Sequence, residues 1–229
     1  MSVTPLSLRN RPSAPAFYPL LVIVLVALLY TAAASVDDAR QGALMQESGL
    51  LEIASGLIYL PVIALLLRHR RLLWPFIVLL VMFCLREFDM DKRLFTEGLF
   101  KSRQYIGGGA GLPEKLISAV ILGGFVVSLW LVIWRGRRGL LRRLVQGDGV
   151  ALCVVLGGIL AVTSKTTDGL GRKLAEFDII ISRDLHLAAL TYEEVAEFGM
   201  GLSLLLAALI FTRQMAATGT QRELGEVTG

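Results

Sequence analysis

The sequence has little charge, little histidine and little cysteine. Charged residues make up 18% of the 229 residues, whereas a typical soluble domain has about 25%. With 55% hydrophobic residues and a mean hydropathy of +0.65, this composition excludes a disordered chain, an ordinary soluble enzyme and a nucleic-acid-binding domain. Cys84 and Cys153 lie within apolar runs, as buried hydrophobic residues do. His69 and His186 fall in different predicted loops, so no histidine-based metal site is expected.

The long hydrophobic runs are what the chain has in abundance. A helix needs about 20 mostly apolar residues to cross a bilayer. The sequence therefore predicts one all-α integral-membrane domain, a polytopic helical bundle with about six transmembrane helices. The predicted spans are Phe17–Val36, Ser48–Leu67, Leu72–Phe88, Leu116–Trp134, Val150–Thr166 and Leu187–Phe211, followed by a polar, frayed cytoplasmic tail over 212–229.

The placement of Lys and Arg predicts the orientation. With the N-terminus inside, the inner segments carry 12 basic and three acidic residues, and the outer segments carry 11 basic and 16 acidic residues. Basic residues concentrate on the cytoplasmic side of membrane proteins. The pattern predicts a bacterial-type inner-membrane protein with both termini in the cytoplasm. The net charge of +4 and the pI near 9.3 are therefore explained by the basic cytoplasmic segments. The basic run Arg135–Arg143 is expected to contact anionic membrane lipid rather than nucleic acid.

The outer connections differ in character. The first, Asp37–Glu47, is short and acidic. The second, Asp89–Lys115, mixes charge with aromatic residues and predicts an interfacial amphipathic helix, whose 92–106 segment is a candidate docking surface for a membrane-protein partner. The third, Thr167–His186, predicts a second interfacial or re-entrant piece at Phe177–Ile181.

Four ionisable residues on four helices are predicted to lie at one depth. Counted from the cytoplasmic ends of their spans, Glu52, Glu87, Lys165 and Glu197 are 14 or 15 residues in, or roughly 21–23 Å at 1.5 Å per residue. Charge at such a depth is usually turned inward and paired, or lines a wet cavity. Gly56, Gly199 and Gly201 lie beside these positions and are suited to close helix approach.

These positions predict one membrane-embedded pocket open to the outer face, which binds a cation or a polar ligand. The candidate ligand-binding residues are Glu52, Arg86, Glu87, Asp89, Lys165, Asp168, Arg172, Glu193, Glu194 and Glu197. Carboxylate oxygens suit a hard cation, so a divalent cation is the candidate cofactor and its candidate ligands are Glu52, Glu87, Glu194 and Glu197.

Other interpretations of the same residues stay open at this point. The charges fit a purely structural ion-pair network, and some fit side chains that reach the headgroups. An intramembrane hydrolase or transferase would use paired carboxylates as acid and base, with Lys165 and Arg172 on a lipid headgroup at the outer leaflet. A third class is an accessory subunit of a membrane complex. No sequence feature names a catalytic residue.

Overall fold

A computed structural model describes residues 17–36, 49–107 and 109–227, of which residue 138 and residues 218–227 are described by their backbone alone. All regular structure in these ranges is helical. The helices are α1 (Phe17–Ala34), α2 (Leu50–Leu67), α3 (Arg70–Glu87), α4 (Met90–Leu94), α5 (Arg103–Ile106), α6 (Leu112–Val145), α7 (Gly149–Thr167), α8 (Leu170–Ala175) and α9 (Arg183–Val227).

Five helices are long and apolar enough to cross a membrane: α1, α2, α6, α7 and α9. This confirms the predicted all-α, multi-pass membrane protein. The predicted third span forms α3, a helix of 18 residues, but it carries Arg70, Arg71, Arg86 and Glu87 at its two ends and is too charged to join the five. Its length of about 27 Å is close to the thickness of a hydrocarbon core.

Helix α9 is the centre of the bundle. It packs against α7, α2 and α1, while α3 packs on α2 and α6 packs on α3. The core between them is built from side chains such as Tyr59, Leu80, Leu160 and Met200. Helices α1 and α6 expose most of their large apolar side chains, as helices that face lipid do. Cys84 and Cys153 are buried free thiols, as predicted.

Glycines set how closely three of these helices approach. A Cβ added at Gly56 would lie 2.8 Å from the ring of Phe88, and one at Gly201 would lie 2.8 Å from Cγ2 of Ile58. At Gly199 the added Cβ would lie 2.5 Å from Cγ2 of Val26. Real Cβ atoms do not make contacts this short, so the predicted close approach at all three glycines is confirmed.

The second outer connection differs from its prediction. Instead of one interfacial helix it forms the short α4 and α5, and it folds back so that Phe95 and Leu99 are buried against Met82. Gln104 is fully buried, accepts from the backbone N–H of Glu97 at 3.0 Å and donates to Glu114 Oε1 at 2.9 Å. Phe95 and Leu99, which an interfacial helix would have turned toward lipid, are therefore packed inside the protein.

Residues 177–181 form no helix and expose Phe177 and Ile180 on the surface, and the predicted interfacial or re-entrant piece stays a prediction. One further expectation is corrected. The tail is not frayed over 212–227, because α9 continues to Val227 through good helix formers such as Ala216 and Ala217. The predicted acidic loop Asp37–Glu47 lies outside the described residues.

Candidate functional site

We call the two ends of the bundle by their charge. The basic end holds the α2–α3 and α6–α7 connections, and the acidic end holds the connections after α3 and after α7. The candidate site lies at the acidic end, where α3, α7 and α9 come together.

Helix α3 delivers Arg86 and Glu87 in its last turn. The helix stops at the next residue, Phe88, whose ring packs over Gly56 of α2. Asp89 then takes a left-handed conformation, with φ of 50°, and turns the chain away. The side chain of Glu87 is buried, and the guanidinium group of Arg86 reaches carboxylates on α9 and at the end of α7.

Helix α7 delivers Lys165 in its last turn, with Asp168 as its C-terminal cap. The Lys165 ammonium group lies 2.5 Å from Glu197 Oε1, 3.4 Å from Asp168 Oδ2 and 3.8 Å from Glu193 Oε1. Glu193 and Glu197 are one turn apart on α9, so they present their carboxylates to the same cation. Lys165 thus joins the end of α7 to the central helix.

Glu197 is the carboxylate on which most of these contacts converge. Besides Lys165, its Oε1 accepts a hydrogen bond from Ser164 Oγ at 2.9 Å and lies 3.7 Å from Arg86 Nη1. The Arg86 guanidinium is also 4.0 Å from Glu87 Oε1 and 3.9 Å from Asp168 Oδ2. Arg86 therefore connects α3 to both α7 and α9.

The cluster is buried at its base and partly exposed to solvent at its edge. The side chains of Glu87 and Glu197 are only 3% and 8% exposed, whereas those of Arg86, Lys165 and Asp168 are 35%, 38% and 42% exposed. Solvent therefore reaches the cluster from the acidic end and does not pass beneath it. We call these side chains, with Glu193, the acidic-end cluster.

The carboxylates outnumber the cations. The acidic-end cluster holds two basic groups, Arg86 and Lys165, and four carboxylates, so its formal charge is minus two. Glu194 adds to the surplus, since it interacts electrostatically with Glu197, Glu193 and Glu52. Burying unbalanced charge is costly, and this cost is relieved when the carboxylates share protons or when a further positive group lies among them.

A buried phenol lies beside the cluster. Tyr59 of α2 is 0% exposed, and Glu87, Glu197 and Arg86 all act on it electrostatically. Its hydroxyl has no hydrogen-bond partner in the described part of the chain. Buried hydroxyls are rarely left unpaired. A ligand group or an ordered water could supply the hydrogen-bond partner that this hydroxyl lacks.

The structure separates some of the predicted site residues from the others. Asp89 pairs with Lys92 at 2.7 Å, outside the cluster. Arg172 is exposed on α8 and lies over Gly169, so it does not join Lys165 in one headgroup site. Glu52, in the first turn of α2, lies on the side of Glu194. Ser164 and the hydroxyl of Tyr59 were not predicted as site atoms. Ser164 precedes Lys165 and lies at the depth of the charged layer, whereas Tyr59 is seven residues further along α2 than Glu52.

The four predicted metal ligands, Glu52, Glu87, Glu194 and Glu197, do not form a cage. Among the residues that the structure describes, no group of three or more His, Cys, Asp or Glu side chains is placed to hold a metal ion. At Glu197 the reason is that Lys165 and Ser164 already contact the carboxylate oxygen that a metal would need.

Comparison of the chain with protein-family models, curated proteins and solved structures finds no match.

Proposed function

We propose that this chain is a bacterial-type inner-membrane protein whose acidic-end cluster binds a cation from the outer side of the membrane. One observation carries the proposal. In the part of the chain that the structure describes, four carboxylates meet two basic side chains at the end of three packed helices, and two of these carboxylates, Glu87 and Glu197, act electrostatically on the buried, unpartnered Tyr59.

The surplus charge selects the sign of the ligand. An anion would have to approach Glu87, Glu193 and Glu197, two of which are nearly buried, and like charges at short range repel strongly where water is scarce. A cation would instead complete the charge balance. The exposed rim at Arg86 and Lys165 gives it a route from the outer solution.

The geometry favours an organic ammonium group over a divalent metal. A metal of the calcium type takes six to eight oxygen ligands, and binding it here would require Lys165 to leave Glu197. A primary ammonium group needs only two or three acceptors, and it can lie beside the existing ion pairs. The Tyr59 hydroxyl and the carboxylates of Glu87 and Glu193 are acceptors of the required kind. The divalent cation is the second candidate, although the four carboxylates predicted as its ligands are not gathered into one metal site among the described residues.

We expect small primary amines to bind in this cluster. Titration calorimetry of the purified protein with ethylammonium should show binding that Glu87→Gln weakens at least tenfold, because one charge-assisted hydrogen bond to the ligand contributes about 1.5–3 kcal/mol. Tyr59→Phe should weaken it about fivefold, because only one neutral acceptor is lost. Glu176→Gln removes an exposed carboxylate outside the cluster and should change nothing.

The same titration distinguishes the alternatives. Tetramethylammonium has no N–H donor and should bind poorly. If magnesium or calcium binds and ethylammonium does not, the divalent-cation candidate is correct and the ammonium proposal is wrong. If no cation binds, the cluster is a structural ion-pair network.

The proposed topology counts α3 as a membrane span in addition to the five apolar helices. The resulting six spans place both termini in the cytoplasm. We expect a green fluorescent protein fused after Gly229 to fluoresce in cells, and alkaline phosphatase inserted at Gly109 to be active, because the first folds in the cytoplasm and the second only outside it. The opposite pair of results would reverse the orientation. Phosphatase inserted at His69, between α2 and α3, should be inactive, and activity at both His69 and Gly109 would show that α3 does not cross the membrane.

A further inference from the structure

A cleft of about 440 Å³ lies at the basic end, far along the helices from the acidic-end cluster. It is bounded by the start of α3, the last turns of α6, the start of α7 and the inner half of α9. Its volume falls within the range of about 300–1,000 Å³ that is typical of ligand sites. The walls are apolar, with side chains such as Leu72, Phe76, Val132, Leu140, Val154 and Phe211.

Three arginines line this apolar cleft, and no acidic residue does: Arg71 of α3 and Arg135 and Arg143 of α6. Arg143 is fixed by Asp148 Oδ2 at 3.3 Å and by Gln214 Oε1 at 3.4 Å. Arg71 and Arg135 are exposed, and neither has a carboxylate within ion-pair distance in the described ranges. Even with Asp148 counted, the mouth of the cleft carries a formal charge of plus two.

An apolar groove continues from the cleft along α7. It has a volume of about 450 Å³ and is lined by Val155, Gly158, Ile159 and Val162, and it shares Leu140 and Val154 with the cleft. A Cβ added at Gly158 would meet nothing within 4 Å, so the groove is open at its middle. The molecule therefore presents a cationic mouth that leads into an apolar channel along one helix.

We propose that this cleft binds an anionic phospholipid, with its phosphate at Arg71 and Arg135 and one acyl chain in the groove along α7.

Each half of the arrangement matches one half of that lipid. Arginine binds phosphate oxygens through paired N–H groups, and basic clefts between transmembrane helices at the cytoplasmic side are suited to anionic headgroups. A free phosphate would use the arginines and leave the groove unused. An acyl chain alone would use the groove and leave two arginines without a counter-ion. Only a molecule with both parts accounts for both features.

The test is phosphatidylglycerol binding to the full chain in neutral detergent, measured as lipid retained in native mass spectra over a lipid titration. Arg71→Gln with Arg135→Gln should weaken binding about 25-fold, since each basic residue near a lipid surface contributes about fivefold. The matched control is Arg137→Gln with Arg142→Gln, which removes the same charge from α6 outside the cleft and should change affinity less than twofold.

A second pair of variants tests the acyl chain. Gly158→Phe should fill the groove and displace phosphatidylglycerol without disturbing packing, whereas Gly124→Phe places the same ring on α6, where a Cβ also meets nothing within 4 Å. Phosphatidylcholine should bind at least tenfold more weakly than phosphatidylglycerol. Glycerol 3-phosphate, which has the phosphate without the chains, should not compete.

Three results would overturn the proposal. Equal losses in the two arginine pairs would show diffuse attraction to a basic surface. Competition by glycerol 3-phosphate as strong as by the lipid would show a site for free phosphate. Full retention of phosphatidylglycerol by both the Arg71/Arg135 and the Gly158 variants would show that the cleft holds no lipid.

Discussion

Replacing Lys165 by methionine should lower the free energy of unfolding by about 2 kcal/mol, or about 4–8 °C in melting temperature for a chain of this size. Breaking a buried ion pair typically costs 3–5 kcal/mol. The smaller value is expected here because the Lys165 side chain is 38% exposed and water can enter beside Glu197. The loss arises because three carboxylates that share this ammonium group would be left with Arg86 alone.

A double-mutant cycle separates this charge effect from lost packing. Adding Glu197→Gln to Lys165→Met should recover about 1 kcal/mol, because the buried carboxylate that lost its partner is then neutral. Lys101→Met removes an exposed lysine in the connection between α4 and α5 and should leave the melting temperature within about 1 °C. Strictly additive losses in the Lys165 and Glu197 variants would show that their 2.5 Å contact contributes nothing.

The shared depth of the charged residues could be predicted from the sequence, because helical rise is constant. Counting residues from the basic end places Glu87, Lys165 and Glu197 at one level, and the structure brings all three into one cluster. Depth says nothing about rotation around each helix axis. That Glu197 faces Ser164 and Arg86, while Glu194 faces the side of Glu52, depends on how α9 packs between α2 and α7.

Asp89 and Arg172 could not be placed from the sequence because the helix ends before each of them. Asp89 and Gly169 both have left-handed backbone conformations, with φ of 50° and 61°. Each interrupts the helical backbone conformation between two helices, so the periodicity that relates neighbours on a helix no longer holds. The residues after these points are directed away from the cluster even though they are close to it in sequence.

The second outer connection could not be predicted for a different reason. Its residues have the composition of an amphipathic helix, but Glu114, in the first turn of α6, accepts from the backbone N–H of Thr96 at 2.6 Å and from Gln104 at 2.9 Å. These bonds join parts of the chain 18 and 10 residues apart. No local pattern reports contacts of that range, and they decide that Phe95 packs inward. The 92–106 segment retains exposed Leu94 and Ile106 as the part that a protein partner would meet.

The two ends of the bundle are alike in carrying charge that is not fully compensated. At each end, side chains of one sign are in excess beside apolar helices, and the residues that the structure describes balance this excess only in part. The acidic end leaves surplus carboxylates beside Tyr59, and the basic end leaves Arg71 and Arg135 beside an apolar cleft. Both proposals rest on this incomplete balance, yet their variants lie at opposite ends of the helices, so failure of one leaves the other standing.

Gly199→Leu should lower the free energy of unfolding by about 3 kcal/mol. Gly199 lies where α9 meets α1 and α7, and its missing side chain leaves room for Val26 and Leu160. A Cβ there would lie 2.5 Å from Val26 Cγ2 and 3.1 Å from Leu160 Cδ1, and three further carbon atoms would have no space. Overpacking of a close-packed interior typically costs 1–3 kcal/mol, and leucine lies at the upper end because neighbours on two helices must move.

Gly124→Leu is the control that isolates this steric effect, since a Cβ at Gly124 meets nothing within 4 Å. Exchanging a helical glycine for leucine favours the helix by up to about 1 kcal/mol, so this variant should be neutral or slightly more stable, by thermal unfolding in detergent. Val26→Ala added to Gly199→Leu should restore part of the loss, because it removes the atom that the new Cβ strikes. If the Gly199→Leu and Gly124→Leu variants have the same melting temperature, α1 is not held against α9 at this contact. The close approach of these helices then does not contribute to stability.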